Sequence, residues 1–313
     1  MPLGTNHLQN SATSVQEFVP ELWSDDVVAA YKQNLVMAGL VSKINHVGKR
    51  GDVIHIPKPT RGSANAKAVQ TQVTLNQNNS SEILVNINRH FEYSIIIEDI
   101  LAVQALASLR RFHTDDAGYA LAKQVDTDLI QLGRGVQGGD GTNNYTAGVI
   151  GGDGSTAYTS AVPNATDLTD AGIRRAIQTL DDNDVPMSNR YLLITPGQKN
   201  VLLGINRFTE QAFVGEVGQG NSIRNGRVGD IYGVDVYVST NADTASGNSA
   251  GGGAADRVNL LFHKDAFVLA EQMSVRTQAQ YKQEWLGTLL TADTIYGVAE
   301  LRNEAAVALV TPS

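Results

Sequence analysis

The residue with the most recognisable chemical context is Ser249, which lies within the pattern G-x-S-x-G at residues 247–251. In hydrolases the serine of this pattern is a nucleophile held on a sharp turn between a strand and a helix. Here the surrounding sequence is ASGNSAGGGAA, and neither flank has the periodicity of a strand or a helix. The sequence therefore favours a Gly/Ala/Ser loop, and a soluble serine-dependent hydrolase stays open as an alternative function.

A second pattern with a chemical meaning is G-x-G-x-x-G, at residues 133–138. It binds a pyrophosphate when it follows a strand and opens a helix, because the N–H groups at the helix start then face the phosphates. In this chain the pattern follows a helical stretch that ends near Gly133. We therefore predict a helix end that leads into a turn, and no cofactor.

No group of side chains has the spacing of a metal site. The six histidines form no H-E-x-x-H motif and no i, i+4 pair. Asp181, Asp182 and Asp184 form the one tight acidic cluster, but they lack the twelve-residue ligand spacing of a calcium loop, which favours a solvated helix end. The chain has no cysteine, which excludes thiolate catalysis and disulfides. We predict no catalytic, cofactor-binding or metal-binding residue, and hence no enzyme.

Composition excludes several classes of protein. Of the 313 residues 42% are hydrophobic, which is too many for a chain disordered over most of its length. No uncharged apolar run approaches the roughly 18 residues that would span a bilayer. The first residues have neither a basic region nor an apolar region of the kind found in signal peptides, so we expect no signal peptide and no membrane partner.

Charge is unevenly distributed along the chain. The net charge of −8 disfavours nucleic acid as a global partner, because binding to phosphates needs a cationic surface. Residues 43–81, however, hold six basic residues and one acidic residue, while residues 135–313 hold 12 basic and 19 acidic residues. Residues 41–81 include no Phe, Tyr or Trp side chain on which a base could stack. We favour docking of this basic arm on the acidic body of another copy, and a solvated charged loop remains an alternative.

The first half of the chain predicts elongated elements. We expect an unstructured arm over residues 1–20, a short helix within 22–40 and a strand at 51–59. Apolar and polar residues alternate over residues 69–75 and again over 82–96, which predicts a long hairpin with its turn at 76–81. The return strand alone would reach about 45 Å, against a radius of gyration of about 20 Å for a compact chain, so it is either broken or projects from the body.

The rest of the chain predicts a long helix and a mixed lobe. Residues 98–134 have a helical pattern with a polar middle. The repeated sequences GGDGTNNYT and GGDGSTAYT, at 138–146 and 151–159, predict the paired turns of a β-hairpin. From about residue 165 helices and strands alternate irregularly. The predicted elements are a helix at 173–180, a strand at 191–195, a helix from Pro196 to Leu203 and further strands at 230–239 and 257–263. The last forty residues end in strands.

These elements, in this order, resemble a tailed-bacteriophage major capsid protein of the Hong Kong 97-like fold. GKRGDVIHIPKP resembles the strand that leads into that family's extended loop, and residues 83–97 resemble its return strand. LTDAGIRRAIQTLDDNDVPMSNRYLLITPGQKNVLL resembles the axial domain, and DIYGVDVYVSTN and IYGVAELRNEAAVAL resemble later strands. The resemblance implies an α+β fold with an extended β-hairpin loop, a long spine helix, a peripheral domain and a mixed-sheet axial domain.

The resemblance also implies boundaries between these parts. They are an N-terminal arm and short helix at 1–45, the extended loop and return strand at 46–97, the spine helix of the peripheral domain at 98–134, the axial domain at about 135–290 and a C-terminal strand return at 291–313. About 20 residues precede the first predicted helix, too few for a fused scaffolding segment. We therefore expect a separate scaffolding protein, or none.

The function implied is that of a shell subunit. Copies would assemble into pentamers and hexamers of an icosahedral phage head in the bacterial host cytoplasm, would enclose double-stranded DNA without sequence-specific binding, and would meet a portal and a decoration protein. A second function of the same fold is an encapsulin-like compartment for protein cargo. The residues expected in contacts between subunits are Arg50, Asp52, Lys58, Arg61 and Lys67. The residues expected in a loop near the ring centre are Gly218, Gly220, Arg224 and Arg227.

The interpretation of Ser249 leads to a direct test. Because we place Ser249 in a loop and not at a nucleophile, Ser249→Ala should leave every property of the protein unchanged within error. Hydrolysis of a chromogenic ester, measured for the parent chain and the variant, checks this. An esterase activity that the substitution abolishes would establish the hydrolase instead.

Overall fold

The computed structural model describes residues 35–48, 50–59, 62–76, 80–99, 109–139, 145, 149–159, 164–205, 229–247 and 255–313. The α-helices are α1 Met37–Leu40, α2 Leu109–Gln131, α3 Asp170–Asp182 and α4 Pro196–Leu203. The strands are β1 Ser42–Asn45, β2 Val53–Pro59, β3 Ser80–Asn86, β4 Arg89–Glu98, β5 Ile150–Gly151, β6 Arg190–Ile194, β7 Asp230–Ile231, β8 Val234–Val238, β9 Arg257–His263, β10 Phe267–Lys282, β11 Gly287–Glu300 and β12 Ala306–Thr311. This mixture of helices and sheets confirms the predicted α+β class.

A six-stranded mixed sheet forms the centre of the second half of the chain. Its order is β5-β12-β9-β6-β8-β7, with β9 antiparallel to both of its neighbours and β6 parallel to β8. All residues of β12 and all but the first of β9 are buried, as expected for mostly apolar strands in the interior of a sheet. Helix α3 packs Ile173, Ala176 and Leu180 into one cluster with Leu192 and Ile194 of β6. The strands predicted at 191–195 and 257–263 are therefore confirmed to within one residue.

Both helices next to this sheet begin at a capping threonine; α4 begins at Pro196 as predicted, and α3 begins at Asp170, three residues before the predicted 173–180. The Thr195 side chain accepts a hydrogen bond from the Gln198 backbone N–H, and Pro196 occupies the first helical turn, where its missing N–H costs nothing. Helix α4 then ends at Leu203, as predicted. Helix α3 is capped in the same way by Thr169, which accepts from the Gly172 N–H at 3.1 Å.

The second large sheet has four strands in the order β1-β10-β11-β4. Strands β10 and β11, of 16 and 14 residues, form a long antiparallel hairpin, and β11 pairs with β4 along its length. The hairpin turns at Gln283–Trp285, and Leu286 completes the reversal with a positive φ of 43°. Sequence analysis did not predict β10, because its second half is rich in Gln, Ala, Lys and Arg and lacks a run of β-branched residues.

The predicted extended hairpin was displaced along the chain. Strands β2 and β3 are the paired arms, with Val53 opposite Asn86 and Pro59 opposite Ser80. The prediction of a strand at 69–75 and a turn at 76–81 was wrong, since residues 62–76 carry no strand and the chain turns at Val69 and Gln70. The return strand is broken between Asn86 and Arg89, because β3 pairs with β2 whereas β4 joins the four-stranded sheet.

Helix α2 continues the predicted helical stretch. Its described part ends at Gln131, followed by a 3-10 turn at Leu132–Arg134, which confirms the predicted helix end near Gly133; residues 100–108 lie outside the described part of the chain. A Cβ on Gly133 would overlap the side chain of Leu260, so this glycine allows the helix end to approach β9.

Buried carboxylates fix helix α2 to the rest of the fold. Asp126 accepts hydrogen bonds from the Met37 N–H at 2.8 Å and from Asn241 at 3.1 Å. Asp128 accepts from the Tyr296 hydroxyl at 2.6 Å and pairs with Arg89 at 2.7 Å. Burial is the largest influence on Asp126 and raises its pKa against the opposing effect of these hydrogen bonds. These contacts connect helix α2 to β4, to β11 and to the start of α1.

The two glycine-rich repeats place equivalent tyrosines in equivalent surroundings. Tyr145 and Tyr158 occupy the same position of the repeat, and both are buried. Tyr145 donates a hydrogen bond to Asp243 at 2.9 Å, and Tyr158 donates one to Asp256 at 3.1 Å. In the second repeat the Gly151 N–H donates to the Thr156 oxygen at 2.7 Å, which forms the predicted turn, while residues 140–144 of the first repeat lie outside the described part of the chain.

Two glycine positions give opposite predictions for the same substitution. A Cβ on Gly297 of β11 would overlap the backbone oxygen of Asn86 and lie 3.1 Å from the Ile87 Cα, so Gly297→Ala should destabilise the chain by about 1–3 kcal/mol. A Cβ on Gly118 of α2 meets no atom within 4 Å, so Gly118→Ala should stabilise it by about 0.5–1 kcal/mol through helix propensity. Urea unfolding of the unassembled subunit measures both effects. Equal effects of the two substitutions would contradict the close approach of β3 to β11.

Candidate assembly surface

The described part of the loop that closes the β2–β3 hairpin, residues 62–76, lies at the surface. Every residue of 62–76 is exposed, including Val69 and Leu75, whose exposed fractions are 90% and 86%. Val73 is the third large apolar side chain of this loop and is 60% exposed. Scattered apolar side chains are normal on a protein surface, but several in one exposed segment mark a surface that binds another molecule.

Side-chain hydrogen bonds, and no strand ladder, shape this loop. Asn76 donates to the Ser63 oxygen at 2.6 Å and accepts from Asn65 at 2.7 Å, which brings the two sides of the loop together. The Thr71 hydroxyl donates to the Ala68 oxygen at 2.8 Å at the turn. Side chains therefore hold residues 72–76 in place, and the backbone N–H and C=O groups of these residues form no hydrogen bonds of a β-sheet among the described residues.

The hairpin itself is anchored at its base. Val85 and Ile87 are buried in a cluster with Val268 and Ala270 of β10, and the Ile87 N–H donates to the Asp52 oxygen at 2.7 Å. Farther out, His55 of β2 and Glu82 of β3 lie 2.9 Å apart across the two strands. The arm is thus fixed to the four-stranded sheet at one end and exposed at the other.

The charged residues predicted for subunit contacts lie along this arm. Arg50 and Asp52 are exposed at its base, Lys58 is exposed near the end of β2, and Lys67 is exposed in the loop. None of these four forms an ion pair with another described residue. Arg61 lies outside the described residues. The structure spreads the predicted set along one projecting element and does not gather it into a single site.

A second exposed apolar group, which sequence analysis missed, lies at the tip of the β10–β11 hairpin. Trp285 and Leu286 are 65% and 66% exposed, and Tyr281 is half exposed. The Tyr281 hydroxyl donates to Asp99 at 2.7 Å, and this hydrogen bond raises the pKa of Tyr281. The only signal in the sequence was a tryptophan between polar residues in QEWLG, which is a weak indication of an exposed turn.

The Asp293 carboxylate stiffens the same hairpin and connects it to the neighbouring strand β4. Asp293 of β11 accepts two hydrogen bonds from Arg276 of β10, both at 2.9 Å, and lies 3.3 Å from His90 of β4. The hydrogen bond from Arg276 is the largest influence on Asp293 and lowers its pKa. The carboxylate therefore links β4, β10 and β11 at mid-strand.

The remaining residues singled out from the sequence form no catalytic or metal-binding group within the described part of the chain. Gly218, Gly220, Arg224, Arg227 and Ser249 all lie outside the described residues. The acidic cluster ends α3 as predicted, with its three aspartates exposed and Asp181 paired with Arg190 at 2.7 Å. Within the described ranges no three His, Asp or Glu side chains come together as metal ligands. No helix of the described residues is both long and apolar enough to cross a membrane.

One small pocket lies beside the end of β9, and it holds no nucleophile. Its lining residues are Asn183, Asp184, Val185, Pro186, His263, Asp265, Arg302, Glu304 and Ala305. The imidazole of His263 accepts a hydrogen bond from the Asp265 backbone N–H at 3.1 Å, and burial lowers its pKa. No serine, threonine or cysteine is among the residues that line this pocket, so His263 has the surroundings of a structural residue.

Solved structures with this fold come from several phages. A structure from Mycobacterium phage Che8 is 22% identical, covers 93% of this chain and 97% of its own, and superposes with a TM-score of 0.71. The capsid of cyanophage P-SCSP1u is 17% identical, with full coverage of both chains and a TM-score of 0.70. The head structure of Helicobacter pylori bacteriophage KHP40 is 12% identical, with coverages of 98% and 99% and a TM-score of 0.71. These matches show the Hong Kong 97-like fold.

The sequence itself identifies the family. No curated protein sequence matches the chain significantly. The family model described as phage capsid protein, however, matches residues 19–311, which is nearly the whole chain. The chain belongs to the phage capsid protein family.

Proposed function

We propose that this chain is the major capsid protein of a tailed bacteriophage and that its mechanism is self-assembly into an icosahedral head around double-stranded DNA. The observation that carries the proposal is the projecting arm, whose exposed apolar residues Val69, Val73 and Leu75 have no packing partner among the described residues. In a chain of this family the natural partner for such a surface is another copy. The virion is then where the protein resides.

We relate the two larger sheets to the axial and peripheral domains that the resemblance implies. We assign the six-stranded sheet to an axial domain, which then takes in β12 from beyond the proposed range 135–290, and the four-stranded sheet to a peripheral domain that includes β10 and β11. Residues 46–97 contribute the extended loop and its return strand, and residues 98–134 the spine helix. The loop around Gly218 and Arg227 remains our proposal for the centre of the pentamers and hexamers.

Charge supports contacts between copies of the chain. The arm carries Arg50, Lys58 and Lys67 exposed and without ion-pair partners among the described residues, whereas residues 135–313 carry a net charge of −7. Attraction between this arm and an acidic neighbour would set the register of adjacent subunits. The same acidic excess disfavours tight binding of DNA to the shell, which allows the genome to be packed and released. A structural role of this kind needs no catalytic residue.

Partners beyond the chain itself follow from the same proposal. A head of this type needs a portal for DNA entry, and we propose a separate scaffolding protein and a decoration protein as further partners. The direct test is negative-stain electron microscopy of the purified protein. Closed shells or rings are expected, and a monodisperse monomer at high concentration would contradict the proposal. DNA inside native particles distinguishes a phage head from an encapsulin-like compartment, which would hold protein.

Leu75 offers a substitution that separates assembly from folding. Because Leu75 is 86% exposed, Leu75→Asp should change the free energy of unfolding of the unassembled subunit by no more than about 0.5 kcal/mol. In a subunit contact the same carboxylate would be buried without a partner, at a cost of several kcal/mol, so shell formation should be lost. Leu75→Met is the matched control and should assemble normally. Sedimentation measures the assembled fraction, and normal assembly of Leu75→Asp would exclude the loop from the contacts.

Trp285 provides a spectroscopic test of the second surface. The chain has two tryptophans, so Trp23→Phe leaves Trp285 as the only one. If the hairpin tip becomes buried against a neighbour, its emission should shift to shorter wavelength when subunits assemble, because the indole leaves water. Denatured protein gives the reference for full exposure. An emission maximum that is identical before and after assembly would show that the tip stays in solvent.

A further inference from the structure

The chain passes between the two larger sheets twice, and the two passages lie side by side. Residues 264–266 lead from β9 to β10, and residues 301–305, the crossing segment, lead from β11 to β12. The backbone N–H groups of Leu301 and Arg302 both donate to the Ala266 oxygen, at 2.8 and 3.3 Å. The two passages therefore form one junction between the sheets.

The turn after α2, residues 132–138, is bound to the crossing segment by hydrogen bonds. The Gln137 side chain donates to the backbone oxygen of Glu304 at 3.1 Å. The Gly138 N–H donates to the side-chain oxygen of Asn303 at 3.0 Å. This contact connects the end of the long helix to the place where the chain leaves one sheet for the other.

Glu300, the last residue of β11, has its carboxyl group at this contact. A Cβ on Gly135 would lie 2.8 Å from the Glu300 Oε2, so this oxygen packs directly against the backbone of the turn after α2. The other oxygen, Oε1, is buried and has no hydrogen-bond partner among the described residues. A carboxylate in these surroundings has lost its hydration without gaining a hydrogen bond in its place, which makes the ionised form costly.

The charges around this carboxyl group do not compensate for its burial. Burial is the largest influence on Glu300 and raises its pKa, and the negative charge of Glu304 raises it further. Arg134, in the turn after α2, donates two hydrogen bonds to Asp243 instead. The other titratable residues of the junction are His263, whose pKa burial lowers, and the exposed Lys264, Asp265 and Arg302. No ion pair among the described residues includes Glu300.

We propose that Glu300 controls the contact between the turn after α2 and the crossing segment through a single proton. When the carboxyl group is neutral, it stays enclosed against Gly135 and the contact is closed. When it loses the proton, the contact opens more readily, because water supplies the hydrogen bonds that the enclosed carboxylate lacks. Raising the pH therefore loosens the junction between the sheets, and acid closes it. The inference goes beyond the proposed function, because it applies to the single subunit before assembly.

Hydrogen exchange of the unassembled subunit, measured by mass spectrometry on peptides that cover residues 132–139 and 300–306, tests this contact. Between about pH 5 and about pH 9 the parent chain should lose protection in both peptides, once the pH dependence of intrinsic exchange is removed. Glu300→Gln keeps a neutral side chain of the same size, so its protection should stay at the acid level throughout. The matched control is Glu284→Gln, which makes the same change in an exposed side chain and should keep the parent response.

Glu304→Gln provides a graded version of the same test. Because the negative charge of Glu304 raises the pKa of Glu300, its removal should move the loss of protection to lower pH than in the parent chain. The response itself should persist, since the buried carboxyl group of Glu300 is still present.

The stability of the whole subunit should follow the same proton. The folded chain holds this proton more tightly than the unfolded chain, so the neutral form stabilises the fold at low pH. That contribution is lost as the pH rises through the raised pKa of the folded state. The urea midpoint of Glu300→Gln should therefore lie above that of the parent chain at about pH 8 and approach it at about pH 4.

Two results would overturn the inference. One is protection in the parent chain that does not change with pH in either peptide, and the other is a parent-like pH response in Glu300→Gln. Both are measured on unassembled subunits, so either result leaves the proposed function intact. Absence of shells from the parent protein would instead reject the proposed function.

Discussion

Residues 257–311 pass through both larger sheets, and this shared stretch of chain constrains the arrangement of the whole subunit. Strands β9 and β12 occupy the middle of the six-stranded sheet, while the intervening β10 and β11 occupy the middle of the four-stranded sheet. One hydrophobic cluster accordingly includes Leu260, Phe267, Tyr296 and Ala308 together with Leu129 and Ile130 of α2. The two sheets therefore share one hydrophobic core, and the exposed loop and hairpin tip extend from it.

Sequence reasoning was most accurate where burial and local capping act together. Strand β9 is a short, mostly apolar stretch without helical periodicity, and Thr195 and Pro196 specify the start of α4 through one hydrogen bond and one fixed φ. The Asp–Tyr pairs could not be predicted in the same way. Asp243 and Tyr145 are 98 residues apart, and nothing local to either side chain indicates that the other will lie beside it. Pairs of this kind depend on the tertiary fold alone.

The charged residues of the arm were predicted from composition, whereas the apolar surfaces were not. A stretch rich in basic residues is visible in the sequence, because its local net charge is obtained by counting its charged residues. Arg50, Lys58 and Lys67 could therefore be identified from the sequence. Trp285 and Leu286 could not, because an apolar residue in a sequence predicts burial and only the position of the turn shows that they are exposed. The tip of the β10–β11 hairpin therefore became a candidate surface only once the strands on either side of it were located.

The incorrect strand at 69–75 shows what an alternating pattern can and cannot establish. An alternation of apolar and polar residues indicates that the two faces of a segment have different surroundings. It does not show whether those surroundings belong to the same chain or to another one. In the single chain the segment has solvent on both sides, so the pattern has no function there. The backbone of residues 72–76 also remains outside any ladder. The alternation of apolar and polar residues in this exposed segment is explained if a neighbouring subunit covers its apolar face. The incorrect prediction of a strand is therefore informative about assembly.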